Sequence, residues 1–228
     1  MKQLLQRLQN NAWTTLVSLP RNDLELAKAA LDGGAQGLKV HLNVEHFASG
    51  TKFGTFEEER DVLAQIVEMA AQNGASVGVV PGANGVFAAP QEFAGLREIG
   101  VDYFDAYPFD CPAWALFQTD LDVMLAAFNG FKIEEFAEFE TLGMTLCEAS
   151  FLGHDDYGKP LSALDVAKYR ALCGRLKSPV IIPSQKKLEA RDVSALQTTG
   201  ARGVLIGAIV TGREAASIEA ATRAFCGA

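Results

Sequence analysis

Helical and strand-like patterns alternate along the chain, and a glycine recurs where a helical segment gives way to a strand-like run. The glycine follows an amphipathic segment and precedes an apolar run in DGGAQGLKVHL, QNGASVGVV, EIGVDYFDAY, TLGMTLCEAS and TTGARGVLIG. Glycine adopts the left-handed conformation that ends a helix at little cost, so these points are predicted helix C-termini. Strands that alternate with helices in this way are typical of βαβ units and a parallel sheet.

The same patterns predict eight strands. They are Thr15–Leu19, Gly37–Asn43, Ser76–Pro81, Asp102–Tyr107, Val123–Asn129, Met144–Ser150, Pro179–Ser184 and Gly203–Ile209. A helical segment follows each strand, although FDCPAWALFQTD, after the fourth, has room for only a short turn of helix. Eight strands with eight crossovers in 228 residues predict an α/β protein with a single (β/α)8 TIM barrel domain over residues 1–228. A doubly wound open sheet is the alternative.

The N-terminal segment and the overall charge limit the function classes. The segment MKQLLQRLQNNAW is amphipathic and has no uninterrupted apolar stretch, so we expect a capping helix of a cytoplasmic protein and not a signal peptide. No apolar run is long enough to span a bilayer. A formal net charge of −8 argues against non-specific nucleic-acid binding, but it leaves room for a small anion in a locally positive pocket.

The four cysteines are scattered and form no CxxC pair. Neither a disulfide framework nor a structural zinc site is therefore expected. We expect no metal, no cofactor and no membrane partner. The expected ligand is a small phosphorylated metabolite, and a homodimer is the candidate assembly.

Polar side chains occupy one face of the second predicted strand. In GLKVHLN, apolar residues alternate with Lys39, His41 and Asn43. Because successive side chains of a strand point to opposite faces, one face is apolar and the other carries a cation, an imidazole and an amide. In (β/α)8 barrels the active site lies at the C-terminal ends of the strands. Polar residues late in the other strands are Ser18, Asp105, Tyr107, Asn129, Glu148 and Ser150.

These residues also have structural explanations. Lys39 and Glu148 could form a buried ion pair, and His41 could be a hydrogen-bonded core histidine. Asp105 could pair with a neighbouring loop. Desolvation makes buried ion pairs poor stabilisers, so a functional site is the favoured interpretation. The loop that carries His154, by contrast, is interpreted as solvated.

The end of the chain predicts an anion site. The loops after the seventh and eighth strands of this fold bind phosphate through backbone N–H groups. Glycine at position 207 would allow close approach of the backbone to the ligand. The alternative is that Gly207 fits a tight turn and that the nearby lysines are solvated. The candidate phosphate contacts in these loops are Ser184, Lys186, Gly207, Ala208 and Thr211.

Three segments carry a family resemblance: AKAALDGGAQGLKV, VDYFDAYP and TTGARGVLIGAIVTG. They are similar to the second strand, the fourth strand and the phosphate loop of the N-acetylmannosamine-6-phosphate 2-epimerases, which are barrels of the ribulose-phosphate-binding superfamily. The resemblance implies a sugar phosphate substrate. It puts Lys39 in the place of a substrate-binding arginine and Asp105 near the substrate. It also implies that Gly207 and Thr211 contact the phosphate.

The resemblance fails at the family's catalytic residues. The family has a lysine late in the third strand and a glutamate late in the seventh, where this chain has Pro81 and Pro183. Proline offers neither an acid nor a base, so the family's mechanism cannot operate with these residues.

Two functions stay open. The first is an isomerase, epimerase or lyase of a sugar phosphate. Its catalytic residues would be Lys39, as an electrophile or as a Schiff-base amine whose ammonium is destabilised by burial, together with His41, Asp105 and Glu148. The second is a catalytically inactive protein that binds or senses a phosphorylated metabolite.

Overall fold

Eight parallel strands close into a barrel in the computed structural model, which describes residues 3–10, 13–118 and 120–228. Each strand pairs with its sequence neighbours, and the first pairs with both the second and the eighth. This closure confirms the predicted TIM barrel and excludes the open sheet. The strands are β1 Thr14–Ser18, β2 Gly37–His41, β3 Ser76–Val80, β4 Tyr103–Ala106, β5 Asp122–Ala126, β6 Leu146–Glu148, β7 Val180–Pro183 and β8 Gly203–Ile206.

Helices occupy most of the connections between the strands. The connection after β4 contains only the 3-10 turn Ala113–Leu116, as its sequence predicts. The glycine predicted to end a helix has a positive φ at all five positions, from 67° at Gly74 to 115° at Gly143. The helices are α1 Gln3–Gln9, α2 Leu24–Asp32, α3 Phe56–Gln72, α4 Pro90–Glu98, α5 Ile133–Ala137, α6 Ala163–Arg175, α7 Val193–Thr198, α8 Ala208–Thr211 and α9 Ala215–Cys226.

Two short hairpins extend the loops at the C-terminal end of the barrel. In the first, which follows β2, Glu45–His46 pairs with Thr51–Lys52. In the second, which follows β3, Gly82–Ala83 pairs with Val86–Phe87. Neither hairpin was predicted from the sequence. Within the described ranges, no helix is long and apolar enough to cross a membrane.

A layer of apolar side chains crosses the lower half of the barrel, and α1 packs against this layer. Leu4 and Leu8 of this helix pack with a layer of inward-facing side chains. Both carboxylate oxygens of Asp102 accept a hydrogen bond of 2.8 Å, one from the Gln3 N–H and one from the Leu4 N–H, so they cap the first turn. The expected N-terminal capping helix is confirmed. The inward-facing layer consists of Leu16, Tyr103, Met124, Leu146, Ile181 and Leu205.

Candidate active site

A charged cluster of three residues, Lys39, Asp105 and Glu148, lies directly above the apolar layer. Asp105 and Glu148 follow Tyr103 and Leu146 by two positions, so the strand period turns all four side chains to the interior. Lys39 Nζ lies 2.8 Å from Asp105 Oδ2 and 2.5 Å from Glu148 Oε2. Lys39 and Glu148 are each 6% exposed, and Asp105 is 2% exposed. One ammonium group therefore faces two buried carboxyl groups.

The carboxyl group of Glu148 differs from an ordinary acid. Burial raises the pKa of Glu148, and the charge of Asp105 raises it further. The Lys39 ammonium offsets only part of this effect, so the pKa of Glu148 is about 8. Two close carboxylates cannot both ionise easily. Near neutral pH, Glu148 therefore keeps its proton.

Lys39 is held in its charged form. Burial alone would lower the pKa of Lys39, but Asp105 and Glu148 outweigh burial and raise it above its ordinary value. The expectation that burial destabilises the ammonium is therefore wrong, because two carboxyl groups are in contact with it. An ammonium group donates hydrogen bonds and polarises an oxygen, whereas a Schiff base needs the neutral amine.

His41 lies beside the charged cluster and is also buried. Its ring packs on His46 at 4.5 Å and on Phe53 at 4.7 Å between centroids. Burial lowers the pKa of His41 well below its usual value, and the nearby charges of His46 and Lys39 lower it further. Because its pKa is lowered in this way, the His41 imidazole is neutral at physiological pH. Asn22 holds the backbone of His41 in place, since its side-chain amide donates to the His41 carbonyl and accepts from the His41 N–H.

A cavity of about 540 Å³ opens above the charged cluster at the C-terminal end of the barrel. Three buried polar atoms of its lining residues have no hydrogen-bond partner among the described residues: Ser18 Oγ, His41 Nδ1 and Asp105 Oδ1. Buried polar groups normally have partners, so these atoms indicate that a ligand or water completes the site. The predicted site residues that line this cavity are Ser18, Lys39, His41, Asp105, Asn129, Glu148, Ser150, Ser184, Gly207 and Ala208.

Three predicted site residues do not line the cavity. Asn43 has a φ of 56°, so the chain has already left the strand, and its amide donates to the Pro81 carbonyl at 3.1 Å. Lys186 is buried in an ion pair with Asp165 at 3.3 Å. Thr211 donates from its hydroxyl to the Gly212 carbonyl at 3.0 Å. Alternation along a strand predicts side-chain direction only as far as the backbone stays extended.

The loops after β7 and β8 form a corner of the cavity with backbone donors. The Gly207 N–H donates to Ser184 Oγ at 2.8 Å. The Gly207 carbonyl accepts from Val210 and Thr211, so the Ala208 and Ile209 N–H groups come before the first intrahelical bond of α8. A Cβ at Gly207 would come no closer than 3.4 Å, to Ser18, so ordinary contact distance remains there.

Apart from Tyr107, the aromatic residues at the cavity mouth were not predicted as site residues from the sequence. Phe47, in the hairpin after β2, stacks on His154, in the loop after β6, with centroids 4.3 Å apart and planes 6° apart. Both residues line the cavity, although the loop with His154 was interpreted as solvated. Their sequence signal is weak because loop residues follow no period. Tyr107, Phe109 and Phe128 line the same mouth.

No family model matches the sequence, and no curated protein matches it. Solved structures do match. Thiamine phosphate pyrophosphorylase from Pyrococcus furiosus is 16% identical, with 96% of each chain covered and a TM-score of 0.66. A mutant tryptophan synthase alpha-subunit from Pyrococcus furiosus is 14% identical, with 96% of this chain and 98% of that chain covered and a TM-score of 0.69. A native KDPGal structure is 14% identical, with a TM-score of 0.65 over 93% of this chain and 92% of that one.

The chain shares their barrel fold. At these identities the likeness concerns the fold and nothing finer. The neighbours are barrels, as the resemblance implies for this chain. Membership of the epimerase family stays a prediction.

Proposed function

We propose that this protein is an enzyme that moves a proton on a small phosphorylated sugar or related metabolite, in an isomerase, epimerase or aldolase-type reaction. The observation that carries the proposal is the charged cluster, in which one carboxyl group with a raised pKa and a second carboxyl group contact the same ammonium. Such a pair supplies an acid and a base at one pH.

Each member of the charged cluster has a proposed role. Asp105 Oδ1, which has no partner among the described residues, takes a proton from a carbon next to a carbonyl group or from a hydroxyl group. The Lys39 ammonium has a third N–H, which donates to the oxygen that gains negative charge. Glu148 holds a proton near neutral pH and delivers it to the product. These roles serve proton transfer between carbons and cleavage of a carbon–carbon bond alike.

The phosphate group of the substrate is proposed to bind at the loops after β7 and β8. The support is local: the Ala208 and Ile209 N–H groups lack intrahelical acceptors, and glycine at 207 leaves the backbone accessible. The barrel neighbour named thiamine phosphate pyrophosphorylase has a phosphorylated compound in its name. Two variants test this assignment. Gly207→Asp adds a negative charge and should abolish stabilisation by phosphorylated ligands, whereas Gly207→Ala should retain most of it.

The catalytic part of the proposal can be tested before the product is identified. A thermal-shift screen of triose, pentose and hexose phosphates identifies ligands, and each hit is then incubated with the protein in D2O. Proton nuclear magnetic resonance reports exchange of a substrate C–H for deuterium, or appearance of a product. The matched variants are Asp105→Asn, in the charged cluster, and Asp102→Asn, three residues earlier at the opposite end of the barrel.

We expect Asp105→Asn to lower exchange or turnover by about a hundred-fold to ten-thousand-fold, in line with the loss of a general base. Asp102→Asn should keep turnover and lose only stability, because it weakens the cap of α1. A hit that stabilises the protein but shows neither exchange nor turnover would favour the alternative, an inactive binding protein with proline at positions 81 and 183. Equal turnover in the two variants would refute the role of Asp105.

A further inference from the structure

Two exposed phenyl rings stand at the cavity mouth. Phe109 follows β4, is 67% exposed, and stacks on Tyr107 with centroids 5.1 Å apart and planes 7° apart. Phe128, after β5, meets the Phe109 ring edge-on at 5.4 Å. Tyr107 and Phe128 thus support the Phe109 ring, while most of the surface of Phe109 is open to solvent. All three rings line the cavity.

The second exposed ring, Phe47, belongs to a bridge across the mouth. It stacks on His154, and Tyr157 meets its ring edge-on at 5.5 Å. Phe47 follows β2 and the other two follow β6, and these strands stand opposite each other in the ring of eight. The bridge, defined as Phe47, His154 and Tyr157, therefore divides the mouth. The Gly207 corner lies on one side, and Phe109 lies on the other.

The two sides differ in chemistry. The Gly207 corner offers backbone N–H groups and a serine hydroxyl, which suit an anion. The Phe109 side offers a supported aromatic face, and such faces prefer a second planar ring in an offset stack. A cavity of about 540 Å³ is in the range of sites for ligands larger than a simple triose phosphate. The Gly207 corner thus suits an anionic group, and the Phe109 side suits a planar ring of the same ligand.

We infer that the substrate carries an aromatic or heteroaromatic ring at the end remote from its phosphate, and that Phe109 stacks on this ring. The inference rests on the proposed function and narrows its substrate class from phosphorylated sugars in general to phosphorylated compounds with a planar ring. The charged cluster then lies beneath the chain that connects the two ends, where a carbon-bound proton or hydroxyl group is within its reach.

The test compares two ligands that differ only in the ring, propyl phosphate and 3-phenylpropyl phosphate, by isothermal titration calorimetry. Phe109→Ala removes the aromatic face. Phe117→Ala is the matched control, since Phe117 lies in the same connection after β4, is 66% exposed and is not among the cavity-lining residues. We expect the intact protein to bind 3-phenylpropyl phosphate about ten-fold more tightly than propyl phosphate, as one stacking contact provides.

Phe109→Ala should bring the two affinities to within about two-fold of each other and leave propyl phosphate unchanged, while Phe117→Ala should keep the ten-fold preference. Equal affinities in the intact protein, or a preference that survives Phe109→Ala, overturn the ring-binding inference and leave the proposed function standing. If neither ligand binds the intact protein, the phosphate corner of the proposed function fails, and the inference fails with it.

Discussion

Glu148 keeps its proton to a higher pH than an ordinary glutamate, and this has a measurable effect on stability. Burial raises the pKa of Glu148 to about 8, with help from Asp105, against about 4.5 for an exposed glutamate. Between these pH values the folded protein holds a proton that the unfolded chain has released. The free energy of unfolding therefore falls as pH rises through this window. Lys39 does not change the sign, because its pKa is raised above its ordinary value and it titrates at higher pH.

The variant Glu148→Gln should lack this loss of stability, since an amide does not ionise. Urea denaturation at pH 5, 7 and 9 should show the wild type losing on the order of 1–3 kcal/mol more than Glu148→Gln across the range, because one pKa unit corresponds to about 1.4 kcal/mol. Other titrating groups, such as Asp102, are common to both proteins and cancel in the difference. Parallel stability curves would show that Glu148 ionises as an ordinary glutamate does.

Single residues were predictable to different degrees. The row of polar side chains in β2 pointed to Lys39, and the suggested ion pair between Lys39 and Glu148 is present, with Asp105 as a second carboxyl group. Lys186 was expected to contact phosphate but pairs with Asp165. Both lysines are buried, Lys39 in the middle of β2 and Lys186 in the loop after β7. Lys186 has a structural partner because α6 brings Asp165 next to it. The sequence around Lys186 does not encode this packing.

At the scale of elements, the glycines at helix ends were better predictors of element boundaries than the apolar runs were. Glycines at the helix ends located five helix-to-strand transitions, because positive φ is a local property of one residue. Strand ends were less predictable. The strand predicted as Val123–Asn129 stops at Ala126, and the one predicted as Met144–Ser150 stops at Glu148. Beyond these points the regular ladder ends after one more backbone hydrogen bond on each strand, from the Ala127 N–H and the Ala149 N–H. Where the ladder ends depends on residues far away in sequence.

The hairpin after β2 carries a prediction about the bridge at the mouth. Phe47 is 62% exposed, and its main packing partners among the described residues are His154 and Tyr157 of the opposite loop. Phe47→Ala should therefore open the mouth while it changes global stability by no more than about 1.5 kcal/mol. Hydrogen–deuterium exchange read by mass spectrometry should become faster in residues 44–54 and 152–158.

Val86→Ala is the control for this prediction, because Val86 is an exposed apolar residue, 56% accessible, in the other hairpin. It should leave exchange in both segments unchanged. If Phe47→Ala also leaves exchange unchanged, the contact between the two loops does not order them, and the mouth is not bridged in solution.

The interior of the barrel has an apolar layer in its lower half and a polar upper end. Below, α1 and the layer of inward-facing side chains form a continuous packed core. Above, the charged cluster brings three ionisable groups into a space where each is at most 6% exposed. The desolvation of buried charges can cost more than their pairing returns. We therefore expect the charged cluster to contribute little to the free energy of unfolding, or to lower it. We expect the fold to be retained without the charged cluster.

A series of variants of the charged cluster tests this division. Lys39→Met alone leaves two buried carboxyl groups without a cation and should destabilise the protein by about 3–5 kcal/mol at pH 8. The triple variant Lys39→Met/Asp105→Asn/Glu148→Gln removes all three charges and should regain most of that loss. The loss in Lys39→Met should also shrink at pH 5, where Glu148 holds a proton and carries no charge. Urea denaturation of the wild type and both variants at the two pH values measures these differences. A triple variant no more stable than Lys39→Met at pH 8 would mean that the ion pairs themselves stabilise the barrel, and the polar end would then belong to the fold as much as to the site.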